Sequence, residues 1–502
     1  MLLITLGALS SLSLPPHNFL FINFITFTLF FIYIFKKKGF AKKNQAFFFG
    51  WFFGFGYFLS SLYWISISLT FDQNFKFLIP IALILIPAFL ATFFGLATYF
   101  IFLFDGRSPI SSLFLFSLLI GMTEFLRGII FTGFPWNLIA YSFSNNLEII
   151  QITSFIGTYA FNILCITLFA SPAIFILTRN KKEIAVCVFL LLSPIILYFV
   201  GSSKIKTFQS LKFTQNDYVI RAIGSNIDIN RFYGNSDTDS VIVELIDISK
   251  PNLDTKTLFI WPEGIIPNIY QSELKDYNYL FKNKFNENHL LGLVITSYEI
   301  SGDENLYYNS FSLYDHEINL IDTYNKVNLV PFGEFLPFKK ILGRIGLKSL
   351  TNNYQSYSGG KNREIINITQ NNFDIKILPL ICYEIIYSGK IFNSPEFDYI
   401  INISEDGWFG TSVGPYQHYT HSVFRAVESG KYLIRSANNG ITALINPMGV
   451  VEKEIPLGNS GYIDFSKKRI VNGTLFSQHG NKMFLIIILL YIFLIFSFNR
   501  IL

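Results

Sequence analysis

Along the first two hundred positions apolar residues follow one another with few polar breaks, and neither helical nor strand-like alternation divides the runs. A helix needs about 20 residues to cross about 30 Å of hydrocarbon. Runs of that order lie near 46 to 70, 77 to 104, 109 to 130, 150 to 178 and 184 to 201, and another from Met483 to Phe498 closes the chain. The first 35 residues are apolar too, divided by Pro15 and Pro16 into a short piece and a longer one ending at Phe35. Two spans there bring the expected total to about eight. A cleaved leader is disfavoured: no basic segment opens the chain, no small-residue cleavage site follows, and another apolar run comes next.

From 202 to 480 the pattern changes. Asp, Asn, Glu and Lys recur, and apolar runs shorten to strand length at Tyr218 to Ile223, Leu258 to Trp261, Leu291 to Thr296, Leu306 to Leu313, Ile375 to Cys382, Tyr399 to Ile403 and Thr442 to Ile445. Helical patterns fall at about 237 to 249, 272 to 285 and 416 to 433, with Ser272 placed to cap the second. Strands alternating with helices predict an α/β domain, without fixing the sheet order. The chain thus divides into a membrane domain over 1–201, an α/β domain over 202–480 and a last span over 481–502.

Composition narrows the class. Of 502 residues, 51% are apolar and 15% charged, against about 25% charged in soluble proteins. That excludes a disordered or wholly water-soluble chain. The net charge of +5 sits in short clusters, which argues against nucleic acid as a partner. Cys165 and Cys187 lie inside apolar runs and only Cys382 in polar sequence, so no disulfide framework is expected. Short-loop Lys and Arg stay cytoplasmic. This places Lys36, Lys37, Lys38, Lys42 and Lys43, and Arg179, Lys181 and Lys182, inside, with only Lys76 and Arg127 opposite. Five spans from the first basic loop put 202–480 outside, and the last span returns Arg500 to the cytoplasm.

Three predicted strand ends carry chemistry. Trp261-Pro262 leads to Glu263; Tyr324-Asn325 leads to Lys326, followed by Leu329 to Glu334; Ile381 leads to Cys382, Tyr383 and Glu384. Sites in α/β sheets gather at strand ends. An acid, an amine and a thiol there suit acyl transfer: the carboxylate removes the thiol proton and the ammonium stabilises the oxyanion. From residue types alone, an inert buried cysteine with solvated charges remains the commoner arrangement. His418 and His421, three apart on a predicted helix, have no third metal ligand at typical spacing. Glu124 and Arg127 are expected to pair with each other or with a lipid headgroup.

The wording of these segments resembles the Glu-Lys-Cys triad of the nitrilase (carbon–nitrogen hydrolase) superfamily, and within it the membrane-embedded apolipoprotein N-acyltransferases. The likeness continues through Ile403 to Gly410, Gly414 to His418 and Arg435 to Thr442, and Gly133 to Trp136 resemble a membrane-side loop of that family. The resemblance implies Glu263 as general base, Cys382 as acylated nucleophile and Lys326 as third triad member. It implies Glu334 and Glu384 as further carboxylates shaping the pocket, and Tyr383 and Trp408 as aromatic lining. It further implies a four-layer αββα sandwich, no metal or organic cofactor, and a multi-pass protein of the bacterial inner membrane with its catalytic domain periplasmic. The reaction implied carries an acyl chain from a phospholipid, through a thioester, to the N-terminal amine of a diacylated apolipoprotein. A membrane-anchored amidase that releases the acyl group to water is one alternative, and a non-enzymatic sensor or transport protein another. The chain departs from the family pattern with Glu405 and Gly407 where Asn and a small residue before the tryptophan are expected, and in reading Ile223, Gly224, Ser225 and Asn226 without the usual glutamine.

Overall fold

Residues 1–104, 108–233, 237–301, 304–337, 356–370, 373–390 and 396–501 are described by a computed structural model of the chain. In hydrocarbon a backbone satisfies its polar groups only internally, so the long apolar runs close into helices. Among the described residues, five are long and apolar enough to cross a membrane: Gln73–Ile101, Pro109–Arg127, Thr153–Leu177, Lys181–Ser210 and Lys482–Asn499. The run expected as one span from 46 to 70 is instead broken. Lys43–Ser61 meets the 3₁₀ helix Tyr63–Thr70 at a 46° bend, and the pair makes a sixth candidate. The Trp64 indole N–H donates to the Ser61 carbonyl at 3.1 Å, taking an acceptor that a continued α-helix would use. In the first 37 residues the helices are Leu2–Ser10 and Ile22–Lys37. The longer has 16 residues, about 24 Å, short of the hydrocarbon thickness.

Two further differences lie in the spans. The helix expected to stop at 201 runs to Ser210, because Phe208 is buried against Tyr432 and so anchors an extra length of polar helix. The helix from Thr153 is interrupted at Gly157, whose φ of 77° is non-helical. The basic loops gather at one end of the bundle: the Lys38 ammonium bonds the Phe104 carbonyl, and the Ile110 N–H donates to Glu183 at 3.3 Å. The other end carries the α/β part.

That part contains β1 (Thr214–Gly224), β2 (Thr257–Glu263), β3 (His289–Ser301), β4 (Glu304–Tyr314), β5 (Leu320–Asn325), β6 (Ile366–Ile368), β7 (Ile375–Ile381), β8 (Tyr399–Glu405), β9 (Tyr432–Asn438), β10 (Thr442–Ile445), β11 (Val451–Ile455) and β12 (Gly461–Lys468). They form two six-stranded sheets, ordered β12-β1-β2-β3-β4-β5 and β11-β10-β9-β8-β7-β6. β1, β2 and β3 are parallel, as are β7, β8 and β9, and the flanking strands are antiparallel. Side chains alternate across each central strand. Leu258 and Ile260 face Ile377, Ile401, Ile403 and Ile434 in a core shared by the two sheets. Phe259 and Trp261 turn the other way, onto Val241, Ile242, Leu245 and Ile246 of the helix Thr238–Ser249. On the second sheet Leu378, Leu380 and Leu433 point out to Val423, Phe424 and Val427 of the helix Gly414–Ser429. The same cluster continues into the membrane helices.

The helix expected over 272 to 285 is only a 3₁₀ turn, Leu274–Tyr277, followed by the single turn Asn278–Phe281. Ser272 caps neither; the Glu273 carboxylate accepts the Tyr270 N–H at 2.7 Å and ties the segment into a turn. Strands β6, β9, β11 and β12 carried no sequence expectation, and β5 only the strand end expected at Tyr324-Asn325. β9 is fully buried yet contains Arg435, Ser436 and Asn438, which hide its apolar pattern. β11 and β12 expose alternate or successive positions.

Candidate active site

Glu263 ends β2 of one sheet and Cys382 follows β7 of the other, and the packing of the two sheets on each other brings them within electrostatic reach. Lys326 follows the last residue of β5 and is fixed there by its backbone N–H, which donates to the Asn309 carbonyl at 2.9 Å. All three side chains are buried.

Two carboxylates and one ammonium form the polar centre. Lys326 Nζ donates to Glu334 Oε1 at 2.8 Å and lies 3.4 Å from Glu263 Oε1. Asn309 bridges the same two acids: its Nδ2 donates to Glu263 Oε1 at 2.9 Å and to Glu334 Oε1 at 2.8 Å. The remaining oxygens are held by backbone, Glu263 Oε2 by the Glu405 N–H at 3.0 Å and Glu334 Oε2 by the Val330 N–H at 2.7 Å. Asn309 was invisible to sequence reasoning, because one amide in an alternating strand carries no distinctive spacing.

Burial alone would lower the Lys326 ammonium, but Glu334 and Glu263, aided by Cys382, hold it well above the ordinary lysine value. It stays a fixed positive charge. Burial pushes the Cys382 thiol well above its ordinary value and Glu263 pushes it further, while Lys326 opposes both. The sulfur therefore rests as a thiol and needs a base to become a nucleophile.

Cys382 takes a left-handed conformation, φ 46°, where β7 turns into the 3₁₀ helix Cys382–Ile386. Such a backbone costs about 1 to 3 kcal/mol and persists only where its surroundings impose it. Two groups do so. His418 Nε2 bonds the Cys382 carbonyl at 3.1 Å, while its Nδ1 bonds Asp406 at 2.9 Å, and Asp406 is itself held by Arg435 at 2.6 Å. Glu384, wholly buried, accepts the Ile381 N–H at 3.0 Å on one side of the turn. It also accepts the Val327 N–H at 2.9 Å, the Asn328 N–H at 3.2 Å and the Tyr324 hydroxyl at 2.9 Å. Glu384 is thus a clamp joining the Cys382 turn to the segment just after Lys326, whereas Glu334 belongs to the polar centre itself.

The two aromatic candidates also separate. The Tyr383 hydroxyl donates to the Gly133 carbonyl at 2.8 Å and its ring stacks on Phe134 at 6.4 Å, so it docks the turn onto the membrane-side loop. Trp408 stacks on Phe232 at 5.5 Å and meets Phe71 edge-on at 5.9 Å. The loop Gly133–Trp136 is held in place by Arg127, which bonds the Phe134 carbonyl and pairs with Glu124 at 2.6 Å, both buried. This resolves the intramembrane charges in favour of a pair with each other. Gln417 adds a junction with no sequence signal: its Oε1 accepts the indoles of Trp136 at 2.9 Å and Trp64 at 3.2 Å. His421 packs against Trp136 and Tyr141.

Comparison with known proteins matches residues 6–171 to the apolipoprotein N-acyltransferase N-terminal domain and residues 257–465 to the carbon-nitrogen hydrolase domain. An apolipoprotein N-acyltransferase of Rhodopseudomonas palustris is 32% identical, over 94% of this chain and 90% of its own. The chain belongs to the apolipoprotein N-acyltransferase family. Family members from Rhizobium leguminosarum and Brucella suis are each 31% identical, covering 93% and 91% of this chain and 90% and 87% of their own. The likeness to this family spans both the helical part and the two sheets.

Proposed function

We propose that the chain carries an acyl group from a membrane phospholipid to the N-terminal amine of a diacylated apolipoprotein, with Cys382 as the acyl carrier. It is an acyltransferase. The observation that carries this reading is the junction itself: the turn holding Cys382 touches Glu263 and Lys326 electrostatically on one side and the membrane loop at Gly133 on the other. An ester whose acyl chains stay in lipid can then meet a buried thiol, without the cost of about 0.8 kcal/mol per methylene for moving those chains into water.

In the first step Glu263 takes the thiol proton and the sulfur attacks the ester carbonyl. Lys326 faces the oxyanion, a contribution worth about 3 to 4 kcal/mol when one such donor is lost. Collapse expels the lysophospholipid, which leaves with the proton held by Glu263, and a thioester remains on Cys382. In the second step the α-amine of the lipidated cysteine attacks the thioester and gives a proton to Glu263; the C–S bond breaks as the amide forms, and Glu263 passes that proton to the departing thiolate. Excluding water from the buried site disfavours hydrolysis of the thioester.

The frame we propose has eight crossings: the five long helices, the bent pair, and the two short helices of the first 37 residues. The domains are residues 1–201, 202–480 and 481–502, the middle one a four-layer αββα sandwich with the helices Thr238–Ser249 and Gly414–Ser429 on its outer faces. The basic loops lie in the cytoplasm and the catalytic part lies on the periplasmic face of the bacterial inner membrane. Purified protein incubated with phospholipid and a diacylated peptide tests the reaction. Amide-linked lipid on the peptide supports transfer, and free fatty acid alone supports hydrolysis instead.

A further inference from the structure

The two departures from the family wording, Glu405 and Gly407, lie next to Glu263 and form one unit. Glu405 is the last residue of β8 and its carboxylate is buried. Its Oε2 pairs with the Arg231 guanidinium and accepts Asn438 Nδ2 at 2.7 Å, and its Oε1 accepts the Gly407 N–H at 2.8 Å. A Cβ at position 407 would meet Glu405 Oε1 at 2.6 Å, so the glycine leaves room for the longer acid in this position. Arg231 is buried too, and its Nη2 also donates to the Gly264 carbonyl at 3.2 Å, one residue beyond Glu263. On the other side the Glu405 N–H donates to Glu263 Oε2 at 3.0 Å.

Resting on the reading of Glu263 as the base, we propose that Arg231 and Glu405 are positioning residues that bracket Glu263 and balance each other's charge beside it. The reason is local electrostatics. A lone guanidinium against Gly264 would favour the Glu263 carboxylate and weaken it as a base, whereas Glu405, whose carboxyl burial already raises, would take up a proton and go neutral without Arg231. Paired, they fix the backbone on both sides and leave the net charge facing Glu263 to its other neighbours. Those neighbours are Lys326 and Glu334 in the polar centre, the Cys382 thiol, and Tyr357, which lies within electrostatic reach. Asp406, ion-paired with Arg435 and bonded to His418, sits just beyond on the Cys382 side.

The test measures the rate of acyl-adduct formation on the full-length protein against pH, with dioleoyl phosphatidylethanolamine in detergent micelles as donor and intact mass as readout. Glu405→Gln is expected to move the acid limb of the profile down by about one pH unit, and Arg231→Met, which leaves Glu405 neutral, to leave the limb in place. The double variant is expected to return the limb near its original position. Glu263→Gln serves as the reference and is expected to form no adduct. A purely structural pair would lower yield or plateau rate in both single variants without displacing the limb in Glu405→Gln, and that result overturns the proposal. Should Glu263→Gln acylate with an unchanged profile, the base assignment itself fails; should it be inactive while the limb stays put in Glu405→Gln, only the charge-balancing role fails.

Discussion

Replacing Glu384 by alanine isolates the clamp that joins the Cys382 turn to the segment after Lys326. The wild-type carboxylate accepts three backbone N–H groups, those of Ile381, Val327 and Asn328, and the Tyr324 hydroxyl, and it has no exposed surface. Each buried donor left unsatisfied costs about 1 to 3 kcal/mol. The low end for the three backbone groups gives about 3 kcal/mol, a large share of a native stability of about 5 to 15 kcal/mol. For a cooperative unit of 150 to 250 residues that corresponds to a Tm lowered by roughly 6 to 12 °C. The surviving folded protein should also acylate slowly, because misplacing Lys326 by about 1 Å costs on the order of a hundredfold in rate. Thermal unfolding in detergent gives the first quantity and time-resolved intact mass after adding phospholipid the second. Glu384→Gln, which keeps one carbonyl oxygen, should fall between the two. If Glu384→Ala unfolds and acylates like the parent, Glu384 is not a clamp.

Glu428→Ala removes the partner of Arg425, paired at 2.9 Å, and of the Thr158 N–H at 2.8 Å, where the helix broken at Gly157 meets the helix Gly414–Ser429. An unpaired buried arginine costs about 3 to 5 kcal/mol; a combined Glu428→Met, Arg425→Met variant should recover most of it in thermal unfolding. Burial, then Arg425 and His418, hold the His421 imidazole well below its ordinary value. The folded state therefore binds fewer protons than the unfolded state once pH drops under about 6.5. Stability should decline as pH falls from 7 towards 5, and His421→Gln should flatten that slope; an unchanged slope rejects the assignment. Asp406 behaves as a depressed acid, because Arg435 and His418 outweigh the burial that would raise it. Its contribution is complete above about pH 4 and is lost as pH falls below that, so Asp406→Asn should weaken the acid-side loss in the same melting series.

Where one physical cause dominated, the sequence was readable. Hydrophobic runs marked the membrane helices and the central strands β2, β7 and β8, whose residues are buried on both faces. Glu263 and Cys382 could be singled out because they stand at the ends of such strands, and Lys326, after the edge strand β5, because of its distinctive local wording. What escaped needed partners distant in the chain. Asn309 bonds acids at 263 and 334, Gln417 joins indoles at 64 and 136, and Arg231 meets Glu405, none of which any local spacing announces. β9 was missed because its Arg435 is neutralised by Asp406, so a charged residue sits inside a fully buried strand. The bend after Ser61 was missed because Trp64 and Ile65 read as apolar continuation, although the indole takes the Ser61 carbonyl. Glu384 read as a carboxylate shaping the pocket through the family resemblance alone, and its side chain folds back onto backbone.

The sharpest test is the mass of the protein itself after exposure to phospholipid without acceptor. One acyl chain should be added, mapped to Cys382, sensitive to hydroxylamine as a thioester is, and discharged when a diacylated peptide with a free N-terminal amine is supplied. An acyl group on any other residue, or amide product formed at an undiminished rate by Cys382→Ala, would contradict Cys382 as the carrier.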